Sequence, residues 1–391
     1  MITVSHPQVN QYVRALLAGL QNNQLLYEFY TTLSVGRRRI SIPGIKPKVR
    51  HFPWREVARL IAQRFGQEWL TRHSSGVLSS DSVAREFDRY VANHLKSSSS
   101  TYCYEDSALE TFRAAERLGL RRFYELPILY WETAQKLLRE EAIRYPQWEQ
   151  TLQATMDSPA KLERKSMELE LAEIVICPSR QVQRSLPPGT TSVVAEYGCP
   201  PVLASRPSKN KFRLKLLFVG TMTQRKGLAD LFAAMKCLDR SDVELVVLGT
   251  PLLPLQFYQG EYSRFKYVPQ RPHRAVRELM LTCDVLVLPS IVEGRAMVQM
   301  EALSCGLPIV VTPNAGAEDL IEPGRTGFLI PIRAPEALAE RIDWIADHKD
   351  WIADTRPAII EKARQSNWRG YSNKVLSVVL SSENLSTQKH S

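Results

Sequence analysis

Four charged side chains lie where they could serve one reaction. Arg225 and Lys226 stand in the stretch G-T-M-T-Q-R-K-G, residues 220–227. Glu293 and Glu301 stand in D-V-L-V-L-P-S-I-V-E-G-R-A-M-V-Q-M-E-A-L-S-C-G, residues 284–306. Two adjacent cations suit a diphosphate, because charge-assisted contacts are worth roughly 1.5–3 kcal/mol each. The competing reading is a pair of exposed cations near a helix start. Cations there oppose the helix dipole, which favours a bound anion. Glu301 is flanked by Met300, Ala302 and Leu303. An acid in so apolar a helix calls for a hydroxyl donor, and a ribose diol supplies one. Glu293 precedes Gly294 at the start of that helix, whose free N–H groups suit an anion. Both acids also admit an ordinary reading as polar residues around a helix.

The elements that must position these groups follow from hydrophobic pattern. Residues 285–288 form a continuous apolar run, as expected of a strand buried on both faces. Pro289 and Ser290 end it. A helical pattern then runs over 296–305 and stops at Gly306, a C-terminal cap. Residues 214–219 read as a strand closed by Gly220, and Lys226 as the start of a helix. Further strands are expected over 243–248, 265–268, 308–312 and 327–330. The first half reads as strands over 2–5, 25–32, 101–104, 122–126, 173–177 and 192–196, with helices between. Residues 36–53 read as a mobile loop, 54–70 as one helix and 351–380 as helical. His6, on the loop after the first strand, is an acceptor-side candidate by its position at the ligand crevice. A structural role weighs equally there.

Alternation of strand and helix predicts parallel sheets. The expected fold class is α/β, with two doubly wound Rossmann-like domains facing across a cleft. The first spans 1–200, a proline-rich linker 201–212, and the second 213–348. Helices over 349–380 are expected to pack back on the first domain, and 381–391 to form a disordered tail. Two domains agree with the length of 391 residues.

Composition narrows the class. Hydrophobic content of 44% and charged content of 24% are ordinary for a globular protein. No apolar run approaches the ~18 residues of a membrane span, and the N-terminus lacks a signal pattern. Six scattered cysteines without C-x-x-C spacing argue against structural zinc. A cytoplasmic protein is expected. Net charge is +10, and ten basic residues lie between Arg37 and Arg72 against two acids, Glu56 and Glu68. One reading is a solvated face. The other is a peripheral contact with an anionic membrane or acidic acceptor. Nucleic acid is not expected, since no binding module is recognisable.

The sequence resembles the retaining glycosyltransferases of family 4, which have the GT-B fold. Four stretches carry the resemblance in order and spacing: G-T-M-T-Q-R-K-G-L, V-L-V-L-P-S-I-V-E-G, E-A-L-S-C-G-L-P-I-V-V-T and A-G-A-E-D-L-I-E-P-G-R-T-G-F-L-I. They cover about residues 214–332. The resemblance implies that Arg225 and Lys226 hold the donor diphosphate and that Glu293 lies near the donor sugar. It implies that Glu301 accepts from ribose hydroxyls. Gly220 and Thr221 are implied on the donor side, as is the turn of Gly294, Arg295, Ala296, Met297 and Val298. The implied activity is transfer of a hexose from a nucleotide-diphosphate sugar to a glycan, glycolipid or small-molecule acceptor, with retention. The nucleotide sugar is a co-substrate, no cofactor is implied, and the absence of a D-x-D motif argues for metal independence. The first loop lacks glycine, the stretch 124–131 has Tyr124 and Tyr130 where the family usually has a histidine, and E-G-R-A replaces E-G-F-G. These departures motivate an alternative, a catalytically weak nucleotide-sugar-binding partner of another transferase. They also point to Arg295 and Ala296 as a place for altered donor preference. An oxidoreductase is disfavoured because no G-x-G-x-x-G follows a strand.

Overall fold

The computed structural model describes residues 1–73, 75–97, 100–203 and 213–387. Thirteen strands form two sheets. The first holds β1 (Ile2–Ser5), β2 (Leu26–Thr31), β3 (Val49–His51), β4 (Ser100–Tyr104), β5 (Arg121–Glu125), β6 (Ile174–Cys177) and β7 (Ser192–Val194) in the order β3-β2-β1-β4-β5-β6-β7. The second holds β8 (Leu214–Val219), β9 (Val243–Gly249), β10 (Phe265–Pro269), β11 (Val285–Leu288), β12 (Ile309–Val311) and β13 (Gly327–Leu329) in the order β10-β9-β8-β11-β12-β13. Every pairing is parallel. The architecture is the expected α/β pair of doubly wound domains.

Helices cover both faces of each sheet, so the central strands are apolar throughout rather than alternating. Every residue of β11 is fully buried. In each sheet the strand order reverses at one point, between β1 and β4 and between β8 and β11. Loops diverge there and leave a crevice beyond the strand ends.

Several elements differ from expectation. Residues 36–53 are not wholly loop, since β3 pairs Phe29↔Val49 through Thr31↔His51. Three residues carry too little pattern to mark a strand. The helix expected over 54–70 breaks at Gly66, which adopts a left-handed φ of +67°. Its parts are Trp54–Arg64 and Glu68–Thr71. Lys226 does not start a helix. Arg225 and Lys226 lie on a separate 3-10 turn, Gln224–Lys226, and left-handed Gly227 divides it from the helix Leu228–Leu238. The last helix, Trp368–Thr387, runs past Ser381 into the expected disordered tail. No Gly or Pro there stops it. Residues 388–391, and 204–212 of the expected linker, lie outside the described residues.

The two halves interpenetrate. The turn Pro146–Thr151 inserts Trp148 against Phe257 and Tyr258 of the second half, with ring centroids 5.1 and 5.5 Å away. Helix Trp131–Arg144 reaches across through Arg144, which donates to Asp230 at 2.6 Å. The helix Trp368–Thr387 returns to the first half and packs on Gln11–Asn22. Contact is close enough that a Cβ on Gly19 would lie 3.0 Å from the Ser372 side chain. Between the halves, Cys199 N–H donates to Ser366 O at 2.6 Å. A Cβ on Gly198 would fall 2.3 Å from the Trp368 backbone nitrogen. Backbone cannot yield as a side chain can. Gly198→Ala is therefore expected to lower stability by about 1–3 kcal/mol, read as a drop in denaturation midpoint. An unchanged midpoint would contradict this packing.

Candidate active site in the interdomain cleft

A cavity of about 470 Å³ opens beyond the C-terminal ends of β8, β9 and β11. Tyr12, Pro127 and Tyr197 of the first half form its opposite wall. This is the crevice that the strand order predicts.

The turn bearing the two cations is fixed by local chemistry. Thr223 Oγ1 accepts from Arg225 N at 2.8 Å. A Cβ on Gly227 would sit 1.9 Å from Pro289 O, so only glycine lets this turn lie against the loop after β11. That loop answers, as Ile291 N and Val292 N donate to Arg225 O at 2.9 and 3.2 Å. Gly220, at the end of β8, leaves the space that Lys226 fills, since a Cβ there would lie 2.7 Å from Lys226 Cδ. Behind the turn, Gln224 Nε2 donates to Glu141 Oε2 at 2.6 Å and Asp230 Oδ2 at 2.8 Å.

Both cations converge on one carboxylate. Lys226 Nζ donates to Glu293 Oε2 at 2.6 Å and Arg225 Nη1 at 3.3 Å. Arg225 also donates to Val292 O at 2.8 Å. Burial alone would raise the Glu293 carboxyl. Arg225 and Lys226 outweigh it and hold the group down at about 2. Burial pulls the Lys226 ammonium below its ordinary value, and Arg225 adds to that, against the opposing pull of Glu293. An incoming anion would find both cations already gathered. Lys226 lines the cavity, whereas Arg225 stands behind it.

The second acid lies across the cavity. Helix Met297–Ser304 starts at Ala296 with no side-chain cap, so its first N–H groups face the cavity mouth unclaimed by a capping side chain. Glu301 Oε1 lies 2.7 Å from Nδ1 of His273, with side chains 5% and 77% exposed respectively. His273 is therefore exposed at the cavity rim, while Glu301 is buried beneath it. Gly220, Thr221, Arg295, Ala296, Met297, Val298 and Glu301 all border this cavity. Gly294 has another task. Its Cβ would lie 1.6 Å from Pro127 O, so it permits close approach of the two halves.

Arg295 differs from the expectation that it marks donor preference. Its side chain is fully buried and donates to Asp319 Oδ1 and Oδ2 at 2.5 and 2.9 Å. It also donates to Gly316 O and Tyr197 O, at 3.1 and 3.3 Å. The guanidinium is thus committed to holding the loops and the first half together. His6 likewise does not reach the cavity. Tyr104 and Tyr12 cover its ring at 4.2 and 5.6 Å, and its Nδ1 accepts from Gln8 N at 3.0 Å. Burial pushes its imidazole down to about 3.

Sequence reasoning missed His273, Tyr12 and Tyr197. Tyr12 and Tyr197 stack with centroids 4.6 Å apart on the far wall. In sequence Tyr12 falls among the regularly spaced residues of its helix, Gln11–Asn22, and His273 carries no motif.

The lowered Glu293 pKa has a stability consequence. A depressed carboxyl contributes fully above its unfolded value and loses that contribution as pH falls through its folded value. The window here runs from about 4.5 down to about 2. Glu293→Gln is expected to be less stable than wild type at neutral pH, with the gap closing across that window. Denaturant unfolding at a series of pH values measures it, and a pH-independent gap would refute the pairing.

Residues 204–366 match the family described as glycosyl transferases group 1. A glycosyltransferase of Methanocaldococcus jannaschii that is itself uncharacterised is 28% identical over 163 residues, 40% of this chain and 41% of that protein. The match thus spans about two-fifths of that relative's length. Sucrose-phosphate synthase from Thermosynechococcus elongatus superposes with a TM-score of 0.69 at 17% identity, covering 98% of this chain and 99% of that one. HepE of Anabaena, solved in complex with UDP-glucose, superposes at 0.63 with 15% identity over 97% and 99%. Among the described residues no helix is long and apolar enough to cross a membrane. The second half of the chain thus matches the glycosyl transferases group 1 family, and the chain as a whole has the GT-B fold.

Proposed function

We infer that the protein moves a hexose from a nucleotide-diphosphate sugar to an acceptor, with retention of configuration and without a metal. The observation that carries this reading is the convergence of Lys226 and Arg225 on Glu293, at the end of a cavity whose other end holds Glu301. The donor diphosphate would lie at Lys226 and the start of helix Met297–Ser304, displacing Glu293 as the cation partner. Departure of the nucleoside diphosphate builds negative charge. Preorganised cations and helix N–H groups stabilise that charge without reorganising. Glu293, released from the cations, accepts from sugar hydroxyls. Glu301 exchanges His273 for the ribose diol. The binding of UDP-glucose by HepE, which shares the fold, supports a nucleotide-sugar donor. The acceptor would approach from the wall of Tyr12 and Tyr197.

Lys226→Ala is expected to lower turnover by ~10²-fold, about 2.7 kcal/mol of barrier. Wild-type-like transfer by that variant would overturn the assignment, and loss of activity on chelation would overturn metal independence. A thermal-shift panel of nucleotide sugars identifies the donor. A ligand at 100 times its Kd stabilises by about 2.7 kcal/mol, and no shift with any nucleotide sugar would sink the reading.

A further inference from the structure

Helix Trp54–Arg64 is turned inside out. An amphipathic helix at a domain surface ordinarily buries its apolar stripe. This one buries a carboxylate: Glu56 accepts from Arg38 and Arg59, each at 2.8 Å, and is almost fully covered. Its other buried residue is Ala62. The large apolar residues point outward. Trp54 is 78% exposed, Phe65 72%, Trp69 65% and Ile61 52%, and Val77 and Leu60 are also open. Trp54, Ile61 and Phe65 recur at offsets of seven and four, which sets them on one stripe. Such a cluster on a protein surface marks a contact.

Charge says what kind. Arg64 on this helix and Arg72 just past the helix of Trp69 are exposed, and among the described residues neither has an ion-pair partner. The stretch holds one exposed acid, Glu68. Aromatic side chains flanked by unpaired cations match a bilayer interface. There the rings sit at headgroup level and the cations meet anionic lipid. A protein groove would instead call for a polar rim with both signs of charge.

We propose that the face formed by Trp54, Ile61, Phe65 and Trp69, with Arg64 and Arg72, docks the protein on an anionic phospholipid surface. The inner side of the same helix lines a second cavity of about 240 Å³, through Glu56 and Arg59, beside Pro7, Thr32 and Tyr104 at the ends of β1, β2 and β4. A docked bilayer therefore lies next to this first-half cavity. On the transferase reading, from which this consequence follows, the acceptor is presented from the membrane. The docking face itself stands apart from that reading.

The test is co-sedimentation of the full chain with vesicles of phosphatidylcholine, alone or mixed with phosphatidylglycerol. Wild type is expected to pellet with the anionic vesicles only, and less so as salt rises. Trp54→Ser, Phe65→Ser and Trp69→Ser combined are expected to weaken pelleting by roughly tenfold or more, and Arg64→Glu with Arg72→Glu by about tenfold at low salt. Both variants replace exposed side chains, so melting temperature and nucleotide-sugar shift should match wild type. Wild type remaining in the supernatant, or the aromatic variant pelleting as well as wild type, would overturn the proposal. So would light scattering that shows a wild-type dimer dissociated by the same substitutions, which would assign the face to a second copy. Vesicle binding without any nucleotide-sugar shift would leave the docking face intact and remove the transferase reading.

Discussion

One buried carboxylate, Glu293, holds the site together. Ionised groups taken from water must be paired, and breaking a buried pair leaves an uncompensated charge. Glu293 meets this demand with two cations from another loop, so the connections after β8 and β11 cannot move independently. The demand passes backward through the structure. The cation turn rests on Gln224, Gln224 on Glu141 and Asp230, and those acids on Arg333 and Arg144. Arg144 and Glu141 belong to the first half. The resting site is therefore wired to the opposite domain by polar contacts, and a ligand that draws Lys226 away from Glu293 loosens the first link of that chain.

What the sequence made legible was local. The apolar run of β11, the glycine after it and the paired cations could be read directly, because strand burial and turn chemistry are written in consecutive residues. Glu301 is marked by its apolar neighbours and by the resemblance. The cation turn was misplaced by one feature, since a left-handed glycine at 227 separates it from the helix that follows. What remained hidden depends on residues far apart in the chain. In sequence Glu168 is one of several charged residues in its helix, Pro159–Leu171. It is instead fully buried and accepts from the N–H groups of Ala108 and Leu109 at the start of another helix, at 3.0 and 3.3 Å. Trp148 looked like part of the first half, yet it fills the core of the second. No pattern within a window reports either.

Arg295 shows how a departure from a family pattern can mislead. Beside an expected donor site, a charged residue invites a role in recognition. Packing gives it another one. Asp319 neutralises it, and two backbone carbonyls complete its hydrogen bonds, one of them Tyr197 O from the opposite half. Its aliphatic stem and planar head serve as a strut, a role to which the forked geometry of arginine is suited and that of lysine is not.

The return of the last helix to the first domain bears on how this protein can be made and dissected. The chain leaves the first domain near Tyr197 and comes back near Trp368, so that domain is assembled from two segments far apart in the sequence. During synthesis, Val13, Leu16, Leu17 and Leu20 wait for Tyr371, Val375 and Val379, which emerge much later. A fragment cut at the crossover would expose this seam to solvent and to other chains. The workable division is a discontinuous one, in which the closing helix travels with the segment it seals.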